Sequence, residues 1–164
     1  MLAAARGPDI CPILENRSVD LIVVDLIALD LIALARAMAK TYGLALKTSC
    51  QTAIIKADPE VLSRAVRNIF ENISRYASPD KSVSLALIRA KGMVKIFFRD
   101  YGPGIPEDET ERIFEPFFRL DKNHGGTGLG LSIVRQAVEQ LNGRVHAEAA
   151  EGGGNVIVIS LPEK

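Results

Sequence analysis

Two glycine clusters on either side of an aromatic segment are the residues in this sequence best suited to chemistry. Residues 100–106 read Asp-Tyr-Gly-Pro-Gly-Ile-Pro, and residues 125–131 read Gly-Gly-Thr-Gly-Leu-Gly-Leu. Glycine lacks a Cβ, so its backbone reaches positive φ and can lie close to a ligand. A helical pattern follows the second cluster, and a helix start directs unpaired N–H groups and a positive dipole end at an anion. The pattern predicts a nucleotide site.

A polar stripe on an earlier predicted helix supplies further candidate groups. Asp58-Pro59-Glu60 has the cap, the N1 proline and the first-turn acid of a helix start. The apolar positions that follow have helical spacing: Leu62, Ala65, Val66, Ile69, Phe70 and Ile73. At about 100° per residue, Asn68, Asn72 and Arg75 lie together on one flank of this apolar face. The same projection places Glu71 pointing away from it.

The remaining elements must bring these groups together. We predict a helix over residues 24–42 that ends at Gly43, a second over 129–141, and a short one over 106–114. Strands are predicted near 18–21, at 44–48 and 53–56 joined by a polar turn, and at 82–89, 93–99, 144–149 and 156–161. Several neighbouring strands have the short connections of antiparallel pairs. This order favours a mixed sheet with helices on one face.

Composition excludes several classes of function. The chain has 164 residues, is 48% hydrophobic, and balances 20 basic against 20 acidic residues, so we expect no nucleic-acid partner. The longest apolar run, residues 21–35, is too short to span a bilayer and is interrupted by Asp25 and Asp30. Cys11 and Cys50 have no metal-binding or redox spacing and are interpreted as ordinary thiols in a reducing cytosol.

The glycine clusters do not match the commonest nucleotide loops. The sequence has no Gly-Lys-[Ser/Thr], which excludes a P-loop. Residues 126–130 lack the G-x-G-x-x-G spacing and follow a loop rather than a strand, which argues against a dinucleotide fold. The catalytic-loop and Asp-Phe-Gly signatures of protein kinases are also absent.

Four segments instead resemble the conserved boxes of sensor histidine kinases. Residues 68–77 resemble the N box, 100–106 the G1 box, 113–119 the F box and 126–134 the G2 box, in the family's order. The resemblance covers roughly residues 19–161. It implies the ATP-binding catalytic domain shared with DNA gyrase B, MutL and heat-shock chaperones. The implied fold is an α/β sandwich (α+β) of the Bergerat type over residues 17–164, preceded at 1–16 by the remnant of a dimerisation helix and linker.

The resemblance also implies roles for the polar residues. Asp100 would accept a hydrogen bond from the exocyclic amine of adenine, where guanine presents a carbonyl. Asn72 would bind Mg²⁺ through its amide oxygen, and Asn68 would orient a metal-bound water or a phosphate. Arg75 would contact the phosphates. Tyr76 would flank the nucleotide, although a packing role remains open.

The loops complete the implied ATP site. Their nucleotide-binding residues are Gly102, Gly104, Ile105, Gly126, Thr127, Gly128, Leu129, Gly130 and Leu131. Phe114, Phe117 and Phe118 are interpreted as lid anchors packed on the core. Arg119 and Lys122 are candidates for the γ-phosphate, with a solvated lid charge as the alternative for Lys122. Only residues 120–124 separate Arg119 from the second glycine cluster, so the lid is short for this family.

The expected chemistry is phosphoryl transfer rather than hydrolysis. ATPases of the superfamily carry a glutamate four residues before the metal asparagine, and that position is Asn68 here. Neither His124 nor His146 lies in an acceptor-type sequence. The phosphoacceptor histidine should therefore lie in a dimerisation domain of the same parent protein, with a response regulator as the next partner. We expect a cytoplasmic domain whose parent carries any membrane anchor elsewhere. An anti-sigma-type serine kinase and a non-catalytic nucleotide-binding regulator remain alternatives.

Overall fold

The fold was analysed in a computed structural model that describes residues 22–24, 27–29, 31–50, 53–55, 57–76, 82–121 and 125–163. The helices are α1 (Leu31–Tyr42), α2 (Pro59–Tyr76) and α3 (Gly130–Gln140), and Glu107–Glu109 and Arg112–Phe114 form 3₁₀ turns. The strands are β1 (Ile22–Val24), β2 (Ile27–Leu29), β3 (Ala45–Cys50), β4 (Ala53–Ile55), β5 (Ser82–Ala90), β6 (Met93–Asp100), β7 (Arg144–Ala149) and β8 (Asn155–Pro162).

The main sheet has five strands in the order β3-β5-β6-β8-β7. Its β3–β5 pair is parallel and its other pairs are antiparallel. A smaller sheet has the order β2-β1-β4, with β1 parallel to β4. Alternate strand residues such as Leu85, Phe98 and Ile159 share one core with all three helices. The predicted mixed, largely antiparallel sheet with helices on one face is confirmed.

Helix α2 packs its apolar face into this core and bears the polar stripe on the flank of that face. Asp58 caps it as predicted, because its Oδ1 accepts hydrogen bonds from the N–H groups of Glu60 at 2.8 Å and Val61 at 3.3 Å. Every apolar position predicted for its inner face is buried. Phe70 meets Phe98 of β6 edge to face, with ring centroids 6.1 Å apart. The inner face is thus anchored to the sheet, which leaves the flanking stripe facing the site.

The predicted first helix begins later than its apolar pattern indicated. We expected helix from Val24, but Val24 lies in β1, Ile27 begins β2, and the helix starts at Leu31. The β-branched run at 22–24 pairs with both β2 and β4, and such residues fit a pleated surface better than a helix. Long-range pairing therefore overrides the local helical pattern.

Other predictions differ from the structure in smaller ways. The strands expected at 44–48 and 53–56 exist, but β3 joins the main sheet and β4 the small one. The short helix expected over 106–114 is two separate 3₁₀ turns. The 1–16 remnant, the strand near 18–21, Cys11, Lys122 and His124 lie outside the described residues. None of the described helices combines the length and the apolar character needed to cross a bilayer.

Candidate functional site

Two adjoining cavities lie between α2, the 100–106 loop, the 3₁₀ turns and the start of α3. The first, here called the glycine-loop cavity, has a volume of 280 Å³ and is lined by α2 and residues 126–131. The second, here called the Asp100 cavity, has a volume of 320 Å³ and is lined by Asp100 and residues 103–105. They share a wall that includes Asn72, Arg75, Tyr76 and Arg119. The three sequence segments predicted to form one site are therefore together.

The stripe on α2 forms one wall of the glycine-loop cavity. Asn68 donates from Nδ2 to the carbonyl of Arg64 at 2.8 Å, which fixes its amide and leaves Oδ1 near Gly130 at the start of α3. The side chain of Asn72 makes no hydrogen bond within the described residues, so its amide oxygen is available to a ligand. Both asparagines are therefore placed as the sequence predicted.

Glu71 is where the helical projection was wrong. It lines the glycine-loop cavity instead of pointing away, and its Oε1 lies 3.0 Å from Nη2 of Arg75. Residues i and i+4 are neighbours on a helix surface, so a glutamate beside the stripe reaches the arginine on its edge. Arg75 is thus held at the cavity rim by a carboxylate.

Two positions of the second glycine cluster favour glycine: Gly126 through its backbone conformation, and Gly128 through both its conformation and its packing. A Cβ on Gly126 would lie 2.8 Å from Nη1 of Arg75, and one on Gly128 would lie 2.7 Å from the carbonyl carbon of Phe117. Their φ angles are +137° and +73°, which favour glycine. The N–H of Phe117 donates to the Gly128 carbonyl at 2.9 Å. This contact joins the aromatic segment to the glycine loop.

The glycine loop ends at the start of α3. The N–H of Leu129 donates to Oγ1 of Thr127 at 3.4 Å, so the threonine stabilises the turn into the helix. Gly130 is the first residue of α3, and Leu131 is buried beneath the cavity. The unpaired N–H groups of the first turn therefore meet the glycine-loop cavity opposite α2.

Asp100 is nearly buried at the end of β6, with 7% of its surface exposed. Oδ1 accepts hydrogen bonds from the N–H groups of Gly102 at 2.9 Å and Asn155 at 3.3 Å, and Oδ2 accepts one from Nδ2 of Asn155 at 3.4 Å. Burial raises the pKa of the Asp100 carboxyl, while these donors and the Arg99 charge act in the opposite direction. A buried carboxylate with donors on one side suits recognition of a ligand amine.

Asn155 and Gly154 are site residues that the sequence reasoning missed. Asn155 lines the Asp100 cavity, and its Oδ1 accepts a hydrogen bond from the N–H of Ile105 at 2.7 Å. A Cβ on Gly154 would lie 2.2 Å from the carbonyl oxygen of Asp100. Both residues lie between the strands predicted at 144–149 and 156–161, and the asparagine directly after a glycine run was a signal of a second polar loop.

The first glycine loop also contacts α2. A Cβ on Gly102 would lie 2.4 Å from the carbonyl oxygen of Tyr76, so glycine is required for the loop to pack on the end of the helix. Gly104 has φ +90°, and both it and Ile105 line the Asp100 cavity. Tyr76 borders both cavities, which agrees with either of the roles considered for it.

The aromatic segment is only partly the anchor that we expected. Phe114 is buried with the Arg135 guanidinium 4.8 Å from its ring centroid, and Phe118 packs against the core beneath Arg112. Phe117, however, is 74% exposed with φ +66°. Its prediction as a core anchor was wrong, because its backbone, rather than its ring, makes the contact with Gly128.

The donor set fits Mg²⁺ bound together with a nucleotide. The described residues contain no group of three His, Cys, Asp or Glu side chains that could hold a metal alone. Magnesium prefers oxygen ligands, takes few from protein and leaves the rest to phosphates and water. The amide oxygen of Asn72, which lines the glycine-loop cavity, is a ligand of this kind.

Comparison with known proteins shows which family has this sequence pattern. Residues 57–164 match the profile of the family described as histidine kinase-, DNA gyrase B-, and HSP90-like ATPase. The sensor-like histidine kinase SenX3 of Mycolicibacterium smegmatis is 31% identical over an alignment of 167 positions, which covers 99% of this chain and 42% of SenX3. The chain therefore spans less than half the length of the curated relatives it matches.

Solved structures give the same result for the fold. The mycobacterial sensor histidine kinase MprB superposes with a TM-score of 0.73 at 28% identity, covering 83% of this chain and 96% of that one. The ATP binding domain of PrrB from Mycobacterium tuberculosis superposes with a TM-score of 0.67 at 28% identity, covering 80% and 90%. Nearly the whole of each neighbour is thus represented here.

Proposed function

Because this chain belongs to the histidine kinase-, DNA gyrase B- and HSP90-like ATPase family, we propose that it binds Mg-ATP and presents the γ-phosphate to a histidine outside the chain. It is an ATP-binding catalytic domain of the sensor histidine kinase type. The observation that carries the proposal is the convergence of the α2 stripe, the Asp100 loop and the glycine loop on two adjoining cavities. One cavity suits a base and the other a triphosphate.

The Asp100 cavity is the base end of the proposed site. Asp100 accepts the hydrogen bond of adenine's exocyclic amine, whereas the carbonyl of guanine at the same position would be repelled by the carboxylate. Gly102, Gly104 and Ile105 bring the loop backbone close to the base, and Tyr76 closes the side shared with the second cavity. The base is thereby held on the sheet side of the site.

The glycine-loop cavity is the phosphate end. Backbone N–H groups of residues 126–131 and the start of α3 face the phosphates, with Gly126, Gly128 and Gly130 allowing close approach. Arg75 exchanges its partner Glu71 for a phosphate, and Arg119, which also borders both cavities, contacts the phosphates as well. Asn72 would hold Mg²⁺ through its amide oxygen, Asn68 would orient a water or a phosphate, and the metal would supply neutralising charge.

Transfer to another protein fits the site better than hydrolysis. The position that carries a water-activating glutamate in related ATPases is Asn68, which has no basic group to accept a proton. Glu71 also lines the cavity, but it does not occupy the position of that glutamate. Phosphoryl transfer needs mainly positioning and charge stabilisation, which Arg75, the glycine loop and the metal supply.

The partners follow from this chemistry. The γ-phosphate acceptor is a histidine on a dimerisation domain of the same parent protein, and a response regulator then receives the phosphoryl group. Because the proposed reaction uses ATP, we expect this domain to lie in the cytoplasm. The two alternatives, a serine kinase of the anti-sigma type and a regulator without transfer activity, predict different products and are separated by one experiment.

The test mixes this chain with the dimerisation domain of its parent, γ-labelled ATP and Mg²⁺. We expect an acid-labile label on the histidine of the partner and none on this chain. The Asn72→Ala variant in the same assay should give no label. Acid-stable label on a serine of the partner, or ATP binding without any label, would contradict the proposal.

A further inference from the structure

Asn155 joins two parts of the Asp100 cavity that are distant in sequence, the start of β8 and the 100–106 loop. It is the first residue of β8, directly after Gly154, whose backbone packs on that of Asp100 without room for a Cβ. The asparagine is only 7% exposed. Its backbone N–H and its side chain both contact Asp100, and its side chain also contacts the 100–106 loop through Ile105. A buried side chain with this many partners has a defined orientation.

The hydrogen bonds determine which way the Asn155 amide points. Oδ1 accepts the N–H of Ile105 at 2.7 Å, and Nδ2 donates to Oδ2 of Asp100 at 3.4 Å. The flipped amide would set an NH₂ group against the Ile105 N–H and an oxygen against a carboxylate, both of which are unfavourable. The hydrogen bond from the Ile105 N–H therefore fixes the orientation of the Asn155 amide, with its Nδ2 donor directed at Asp100.

The two oxygens of Asp100 are consequently unequal. Oδ1 accepts two backbone N–H groups, from Gly102 at 2.9 Å and from Asn155 at 3.3 Å. Among the described residues, Oδ2 accepts only the longer bond from Nδ2 of Asn155. A carboxylate oxygen can accept more than one hydrogen bond, so Oδ2 is the atom with capacity for a ligand donor in the Asp100 cavity.

We propose that Asn155 is a positioning residue that sets base specificity, by holding the Asp100 carboxylate so that Oδ2 receives the exocyclic amine of adenine. The inference rests on the proposed function, in which the Asp100 cavity holds the base of ATP. Asn155 acts through Asp100 and needs no contact with the nucleotide. Replacing Asn155 should therefore lower affinity only for nucleotides whose base carries an exocyclic amine where adenine does.

The test compares ligands that differ only in that amine. Asn155→Leu keeps the approximate shape of the side chain and removes its polar groups. By calorimetry with Mg²⁺, we expect the Kd for ATP to rise about tenfold in this variant, as for the loss of a hydrogen bond to a charged group. The Kd for purine riboside 5′-triphosphate, which lacks the amine, should change by less than about twofold.

Two controls separate positioning from a loss of structure. Inorganic tripolyphosphate should bind Asn155→Leu as it binds the unmodified chain, because the glycine-loop cavity is untouched. Asn155→Thr, whose hydroxyl can donate to Oδ2, should restore ATP affinity to within about threefold. If Asn155→Leu has the same Kd for ATP as the unmodified chain, or loses ATP and purine riboside triphosphate equally, the positioning role is excluded.

The result also distinguishes this inference from the proposed function. In one case the unmodified chain prefers ATP to purine riboside triphosphate, but Asn155→Leu either keeps the same Kd for ATP or loses affinity for both triphosphates equally. That result supports recognition of adenine by Asp100 and excludes the positioning role of Asn155. If the unmodified chain binds both triphosphates equally, Asp100 does not read the amine, and both the role of Asn155 and the proposed role of Asp100 are overturned, while Mg-ATP binding itself stands.

Discussion

At the residue scale, the property that matters most is the charge on Asp100. Its carboxylate is buried beside the sheet, where desolvation disfavours the ionised form, yet the proposed contact with adenine requires that form. Hydrogen bonds from Gly102 and Asn155 offset part of this cost. With its carboxylate ionised, this cavity would accept a ligand donor and repel a carbonyl.

The raised pKa of Asp100 predicts how ATP binding depends on pH. Protonation removes the charge that the amine needs, and because the pKa lies above the ordinary value of 3.8, ATP affinity should fall at a higher pH than for an ordinary aspartate. The measurement is the ratio of the Kd values for ATP and purine riboside triphosphate as the pH is lowered from 8. The shared triphosphate cancels phosphate titration. A ratio that stays constant down to pH 4 would contradict the role of Asp100.

At the element scale, the glycine loop and the aromatic segment behave as one unit. Phe117 adopts φ +66°, an uncommon conformation for a non-glycine residue, and donates its N–H to Gly128. Gly128 in turn has no space for a side chain. The contact ties the residues before the lid to the start of α3, so the shape of the phosphate end depends on it.

Gly128→Ala should therefore damage the phosphate end. The added Cβ would lie 2.7 Å from the backbone of Phe117 and would also force a positive φ on alanine. We expect Mg-ATP affinity to fall at least about tenfold, with a lower melting temperature. The matched control is Gly125→Ala, where a Cβ meets nothing within 4 Å and which should bind Mg-ATP normally. Equal affinity of the two variants would show that the Phe117–Gly128 contact does not shape the site.

At the scale of the whole molecule, local patterns predicted the elements and tertiary pairing determined the rest. The 3.6-residue period placed Asn68 and Asn72 on one flank of α2, and the glycine spacing placed the two loops. Asn155 was missed because only the pairing of β8 with β6 brings it to Asp100. Val24 was assigned to a helix because pairing of β1 with β4 is invisible in a local pattern.

The electrostatic surroundings of the stripe also needed the structure. Glu71 was assigned to the far side of α2 from an ideal projection, but long side chains at i and i+4 meet across a helix surface. The pair with Arg75 is partly solvent-accessible, so it is weak enough to be exchanged for a phosphate. The assembled site therefore differs from the predicted one in the partners of its residues more than in their identity.

The most direct test of the account is the Asn72→Ala variant in calorimetric titrations with ATP. Asn72 lies on the wall shared by both cavities and supplies the amide oxygen proposed for Mg²⁺. The matched control is Ser74→Ala, on the same helix but outside both cavities. We predict that Asn72→Ala abolishes Mg²⁺-dependent ATP binding, with the circular dichroism spectrum and melting temperature unchanged, and that Ser74→Ala binds normally. An unchanged Kd for Mg-ATP in Asn72→Ala would contradict the site.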